Sequence, residues 1–226
     1  KAKIVFFCLK KLSVISNKNL LFPSYIKYNV HIDYMEDAYI LKKQEEDARM
    51  IQRERYIDKI KPFIGKDIIK VLTGIRRSGK SVMLQLIQEE IRSQGIADTQ
   101  FISFNFESLE NAEFCTADSL YQELKKRISS VQGKVYLFFD EIQEVEQWEK
   151  CINSVRVDFD CDIYITGSNA KLLSGELATY LGGRYVEFVV FPFSFEEYLE
   201  SIKQEKEEVS VTEEFKNYLE MGGNLS

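Results

Sequence analysis

The chain has 226 residues, 45% of them hydrophobic, and a formal charge of -6. That is enough apolar content for one sizeable domain, or a domain with an appendage, while the acidic balance argues against a broad nucleic-acid-binding surface and leaves room only for a local basic patch. No apolar run approaches the roughly 18 residues of a membrane span, and "IVFFCL" stops at Lys10 and Lys11, too short for a secretory signal, so a cytoplasmic chain with no membrane partner is expected.

The four cysteines, Cys8, Cys115, Cys151 and Cys161, form no CxxC pair, and with the single His31 they make no convincing zinc set. They read as reduced core thiols.

All eleven glycines lie after residue 50. Residues 1 to 49 carry nine Lys/Arg against six Asp/Glu, and the remainder 21 against 30. The first segment also lacks a sustained hydrophobic period. Native translation is expected to begin at Met50, because Glu45, Glu46 and Asp47 can be encoded by a purine-rich run resembling a ribosome-binding site just upstream of a methionine codon. A genuine extension with a helix over about 38–49 is the alternative. The expected division is an extension over 1–49, a nucleotide-binding core over 50–191, and the start of a helical lid or connector over 192–226.

From Met50 onward, Ile51, Tyr56, Ile60 and Phe63 follow a short helical path ended by Pro62 and Gly65. "DIIKVLTG" is a brief apolar run, predicted as a strand buried on both faces. After the glycine loop, Val82, Met83, Leu86, Ile87 and Ile91 recur at helical spacing up to Gly95. "FISFNF" predicts a second strand, and Ala117, Leu120, Tyr121, Leu124 and Ile128 an amphipathic helix. "VYLFFDE" predicts a third strand ending in two acids. Trp148, Ile152 and Val155 share one helix face, which makes the single tryptophan a core residue. "DIYITGSNA" predicts a fourth strand, a helix carrying Leu172, Leu173, Leu177 and Leu181 follows, and "YVEFVVF" supplies the fifth strand. After Pro192 only helices are predicted. Ser194 and Glu197 form a capping box with Phe193 placed to staple onto Tyr198, and a last helix runs from about Thr212 to Met221. Strands alternating with helices predict a three-layer α/β domain with a mainly parallel five-stranded sheet and a ligand at the carboxyl ends of its strands.

Gly74 to Ser81, "GIRRSGKS", fits GxxxxGK[ST] between a predicted strand and a predicted helix, where such a loop must lie to work. Its glycines let successive backbone amides converge on phosphate oxygens at a helix N-terminus. The expected nucleotide-binding residues are Gly74, Ile75, Arg76, Arg77, Ser78, Gly79, Lys80, Ser81 and Val82. Lys80 would neutralise the β and γ phosphates and the Ser81 hydroxyl would reach Mg2+. In "VYLFFDE", Asp140 is the second candidate metal ligand, and Glu141 is placed to take a proton from an attacking water, unless the pair is simply a solvated strand terminator. In "ITGSNA", Ser168 and Asn169 are candidates for sensing the γ phosphate, with Thr166 ranked behind them; Ser168 or Asn169 serves equally well as a helix N-cap. Arg184, after Gly182 and Gly183, reads either as an arginine finger acting on a neighbouring subunit or as a surface ion-pair residue.

The blocks "YIDKI", "TGIRRSGKS", "FFDEIQEVEQWEK", "ITGSNAKLLSGEL", "LGGRYVEF", "FPFSFEEYL" and "YLEMGG", in that order, resemble bacterial and archaeal ATPases of the AAA superfamily that join this module to an uncharacterised C-terminal domain. The resemblance covers Met50 to nearly the last residue. It implies the sheet order 5-1-4-3-2, a Walker A loop at Gly74 to Ser81, a Walker B acid at Asp140 with Glu141 as catalytic base, and a polar sensor within "TGSNA". Residues before Met50 have no counterpart in the family pattern, and the chain stops where the family's C-terminal domain would begin.

The function expected is Mg2+-dependent hydrolysis of ATP, with the nucleotide state controlling a partner, whether a second copy of the chain, another protein or a nucleic acid. The alternatives are a small-molecule phosphotransferase and a nucleotide-gated binding module that does not hydrolyse. GTP is disfavoured because the Asn-Lys of "NKNL" at Asn17 lies upstream of the loop and lacks the aspartate of NKxD. Arg76 and Arg77 add two charges beside Lys80, and three cations so close repel one another unless an anion sits among them.

Overall fold

A computed structural model describes residues 51–168, 181–205 and 209–221. The chain begins with helix α1 (Glu54–Ile60), continued by a 3-10 turn at Lys61–Phe63 where Pro62 occupies an early position that needs no donor. Strand β1 (Ile69–Gly74) then leads through the glycine loop into α2 (Lys80–Ser93). Strand β2 (Phe101–Asn105), helix α3 (Ala117–Ile128), β3 (Val135–Asp140), α4 (Trp148–Asp158), β4 (Cys161–Ser168) and β5 (Tyr185–Val189) follow. Two helices, α5 (Phe195–Glu205) and α6 (Val211–Met221), complete the described residues. The predicted helix through Leu172, Leu173 and Leu177 lies outside them.

The five strands form one parallel sheet in the order β2-β3-β4-β1-β5, the order implied by the resemblance read from the other edge. In β1 and β3 every residue is buried, as required of central parallel strands covered on both faces. Edge strand β2 instead alternates, with Ile102 and Phe104 buried and Ser103 and Asn105 exposed. On one face, Leu120, Leu124, Ile152 and Val155, all fully buried, join α3 and α4 to Leu137, Phe139 and Ile163 of the sheet. Trp148 belongs to this core. Truncating any of these leucines or isoleucines to alanine would cost about 2–5 kcal/mol.

Cys151 and Cys161 are buried free thiols, both pushed up to about 12 by burial, whereas Cys115 is only half-buried. No described helix is long and apolar enough to cross a membrane.

The other face of β1 carries an ion pair. Lys70 and Asp162 are fully buried and bonded to each other. Asp162 also accepts hydrogen bonds from the Gly65 amide at 2.7 Å and the Tyr164 hydroxyl at 2.8 Å, while the Lys70 ammonium donates to the Lys66 carbonyl at 3.0 Å. Burial pushes the Lys70 pKa down against the opposing pull of Asp162. The network ties the turn at residues 65–66 to β1 and β4, toward the amino-terminal end of β1 and away from the glycine loop.

Strand β5 stops two residues earlier than its apolar run predicts. The Val190 amide still bonds the Thr73 carbonyl at 2.7 Å, but the next residue leaves the ladder, with the Phe191 amide donating to the Tyr56 hydroxyl and its carbonyl accepting from Arg53. Beyond it, Ser194 and Glu197 form the predicted capping box, each side chain accepting the other's amide. Helices α5 and α6 pack through Phe195 and Phe215, whose ring centroids are 4.9 Å apart, and through a Tyr198 hydroxyl bonded to Glu214 at 2.8 Å.

Candidate active site

Register brings the functional candidates to one end of the sheet. Gly74, the last residue of β1, is paired with Ser168 at the end of β4, and Asp140 at the end of β3 is paired with Asn105. The chain leaves β1 at Gly74 because nothing larger fits. A Cβ there would lie 2.3 Å from the Val190 carbonyl oxygen and 2.6 Å from Ser78 Oγ. Arg77 and Gly79 both take left-handed backbone, at φ 65° and 89°, and between them the loop turns back into the first turn of α2. A non-glycine residue in that conformation is uncommon. Ile75, Arg76 and Arg77 are exposed, while Ser78 and Lys80 are buried. The amides opening α2 have no carbonyl one turn earlier within the helix, the general reason helix starts attract anions. Ser78 Oγ is buried without a hydrogen-bond partner, a polar atom left for another group to satisfy.

Lys80 is 5% exposed, and its ammonium lies 3.4 Å from the Gly74 carbonyl, 3.3 Å from the Ile75 carbonyl and 3.4 Å from Glu141 Oε1. Glu141 reaches it because the chain kinks immediately after β3, with Glu141 at φ 53° and ψ 50°. The Gln143 amide holds the other Glu141 oxygen at 2.5 Å. Thr166, fully buried on β4, joins the two acids: its hydroxyl donates to Asp140 Oδ1 and accepts the Glu141 backbone amide at 2.9 Å. The sequence ranks Thr166 behind its neighbours, and these bonds place it in direct touch with Asp140. Ser168 ends the same strand beside the loop, and Asn169 lies outside the described residues.

Arg184 is not brought to this end of the sheet. Its carbonyl accepts the Ile69 amide at the opposite end of β1, about 16 Å from Gly74 at the usual rise of a parallel strand, and its side chain is exposed.

The residue that sequence reasoning missed is Arg53, just before α1. Its side chain is 1% exposed, and its three guanidinium nitrogens bond Glu197 Oε1 at 2.8 Å, the Ser78 carbonyl at 3.0 Å and the Phe191 carbonyl at 2.8 Å. It also lies over the rings of Tyr56 and Phe193, 4.5 and 5.2 Å from their centroids. The only local hint is the tyrosine three residues on in "RERY", because its hydrogen-bond partners are 25 to 144 residues away. A cleft of about 800 Å³ opens beside it, walled by Tyr56, Phe191 and Phe193 and by the acids of early α5.

The set fits a hard cation together with a polyphosphate. Asp140 is oriented by Thr166, the Ser81 hydroxyl stands in the first turn of α2, and Mg2+ characteristically takes one or two protein oxygens and completes its shell with phosphate and water.

An AAA domain model matches residues 66–199. An uncharacterised protein of Haemophilus influenzae is 44% identical over 174 residues, 77% of this chain and 44% of the relative. An uncharacterised protein of Methanocaldococcus jannaschii is 35% identical over 190 residues, 84% of this chain and 37% of the relative. The chain thus spans less than half the length of these curated relatives. Among solved structures, the Aeropyrum pernix Orc1 protein in complex with DNA gives a TM-score of 0.50 at 14% identity, covering 69% of this chain and 52% of that one, a likeness of fold alone.

Proposed function

The chain belongs to the AAA family of P-loop ATPases, and from that premise we propose that it binds ATP through Gly74 to Val82 and hydrolyses the β,γ bond. The observation that carries this reading is the meeting of Lys80 with Glu141, 3.4 Å apart, at the mouth of the loop and next to Asp140. A cation for the phosphates and a base for water are thereby adjacent, which is what transfer to water requires.

In this reading the loop amides and Lys80 hold the β and γ phosphates, with Arg76 and Arg77 adding charge from the exposed side. Mg2+, when bound, offsets the charge developing between those phosphates, and Ser81 and Asp140 are the groups that would hold it. Thr166 keeps Asp140 oriented and fixes the backbone at Glu141. Glu141 accepts the proton of the attacking water, and Gln143 limits where its carboxylate can point. Ser168 and Asn169 stand next in line to touch the γ phosphate. The cleft beside Arg53 has the volume and aromatic walls to take the base. Arg184, remote from its own loop, acts only if a second copy presents it to a neighbour's nucleotide. Nucleotide state then controls a partner, either a protein, a nucleic acid or a further part of a longer polypeptide.

The test is Glu141→Gln assayed for binding and turnover of Mg-ATP. Binding should remain within a few-fold of the native protein while hydrolysis falls by about 10²–10⁴. Undiminished hydrolysis would remove Glu141 as the base, and turnover that needs an added acceptor would make the chain a phosphotransferase.

A further inference from the structure

Arg53 lies outside every motif of the loop, yet it reaches into it. Its Nη1 donates to the Ser78 carbonyl at 3.0 Å, immediately before Gly79, whose left-handed backbone at φ 89° turns the loop into α2. In a planar trans peptide the carbonyl and the following amide point in opposite directions. With its carbonyl held by Arg53, the Ser78–Gly79 peptide therefore turns the Gly79 N–H away from the guanidinium. On its far side, Arg53 Nε bonds Glu197 Oε1, and Glu197 Oε2 accepts the Ser194 amide that opens α5. One buried guanidinium thus spans the loop, the exit of β5 and the cap of α5.

We propose that Arg53 is a positioning residue that sets the Ser78–Gly79 peptide for phosphate and, through Glu197, links occupation of the loop to the placement of α5. This rests on the nucleotide reading above. A guanidinium suits the task because its rigid planar fork holds three acceptors at fixed angles, which a lysine ammonium on a flexible stem does not. The link works in both directions, since whatever nucleotide does to α5, the position of α5 does to nucleotide affinity by the same factor. Any part of a partner that pulls on α5 therefore has a mechanical route to the phosphates that avoids Lys80, Asp140 and Glu141.

The experiment compares the native chain with Glu197→Gln and Arg53→Lys by amide hydrogen exchange, with and without saturating Mg-ATP, alongside Kd, KM and kcat for ATP. In the native protein nucleotide should slow exchange both in the loop and over α5. In each variant the loop should still be protected, protection of α5 should disappear, and Kd and KM should rise about tenfold with kcat nearly unchanged, as expected for losing a charge-assisted hydrogen bond that orients the ground state. Should Arg53→Lys fail to fold, Glu197→Gln, which keeps side-chain volume, decides the matter. Nucleotide-dependent protection of α5 that survives in Glu197→Gln with native affinity overturns the link and leaves the ATPase reading standing. A native chain that binds no nucleotide overturns both.

Discussion

Replacing Gly74 by alanine sets a methyl carbon 2.3 Å from the Val190 carbonyl oxygen and 2.6 Å from Ser78 Oγ. The serine can rotate away, but the carbonyl belongs to the backbone that leaves β5, and relief to an ordinary contact requires a shift of roughly 1 Å. The 2.7 Å bond between the Val190 amide and the Thr73 carbonyl is carried by the same residue and would be stretched past useful length. Overpacking costs about 1–3 kcal/mol and the lost bond about 1 kcal/mol, giving roughly 2–4 kcal/mol. For a domain of this size that is a fall of roughly 5–15 °C in Tm. Thermal unfolding of Gly74→Ala, with Gly65→Ala as the control, provides the assay. Gly65, unlike Gly74, has positive φ, at 74°, but a Cβ there meets nothing within 4 Å, so only the strain of about 1–2 kcal/mol applies. ATP affinity should fall with Gly74→Ala and hold with Gly65→Ala. Equal shifts in Tm with native affinity in both would refute the close approach of β5 to the loop.

Asp162→Asn should destabilise the protein by about 3–5 kcal/mol in urea titrations, because it leaves the fully buried Lys70 ammonium without its counter-charge, while nucleotide affinity of the folded fraction is unchanged. Thr166→Val should lower kcat by roughly 10²-fold, with Thr166→Ser recovering most of it, since the hydroxyl is what joins Asp140 to the Glu141 amide. The pH dependence of stability has a definite sign at Glu197. Burial alone would raise its carboxyl, but the Arg53 guanidinium and the Ser194 amide outweigh that and hold it below the usual value of 4.5. Its contribution is therefore complete above that value and is lost as pH falls through the lower folded-state pKa. Acid unfolding curves of Glu197→Gln should be flatter in that window and unchanged in slope at neutral pH.

The parts of the site that sequence disclosed are those encoded by neighbours. "DIIKVLTG" before the loop and "VYLFFD" before the acids each announce a buried strand by a largely apolar run, and a strand must deliver its last residue to the carboxyl end of the sheet. Lys70 interrupts the first of these runs without exposing it, because Asp162 waits on a strand 92 residues later, and no window of sequence contains both. Arg53 escaped notice for the same reason. In "RERY" it reads as surface charge, and its burial is created by Glu197, Ser78 and Phe191, which arrive from three other elements. Thr166 is visible in the sequence as a polar residue near a strand end, but its bond to Asp140 is not. That bond depends on the register of β3 against β4, where Phe139 pairs with Ile165. The early end of β5 was likewise hidden, because side chains of Tyr56 and Arg53 replace its ladder partners.

Strand β1 is clamped at its root and bare at its tip. At the root, Lys70 is locked to Asp162 and to the turn before the strand, and at the tip Gly74 carries no side chain to anchor it. The two ends are held by different means: charge and side chains at the root, and backbone alone at the tip, where Gly74 lies in register with Ser168 and against the Val190 carbonyl. A substitution at the root therefore removes a partner, whereas one at the tip adds an obstacle.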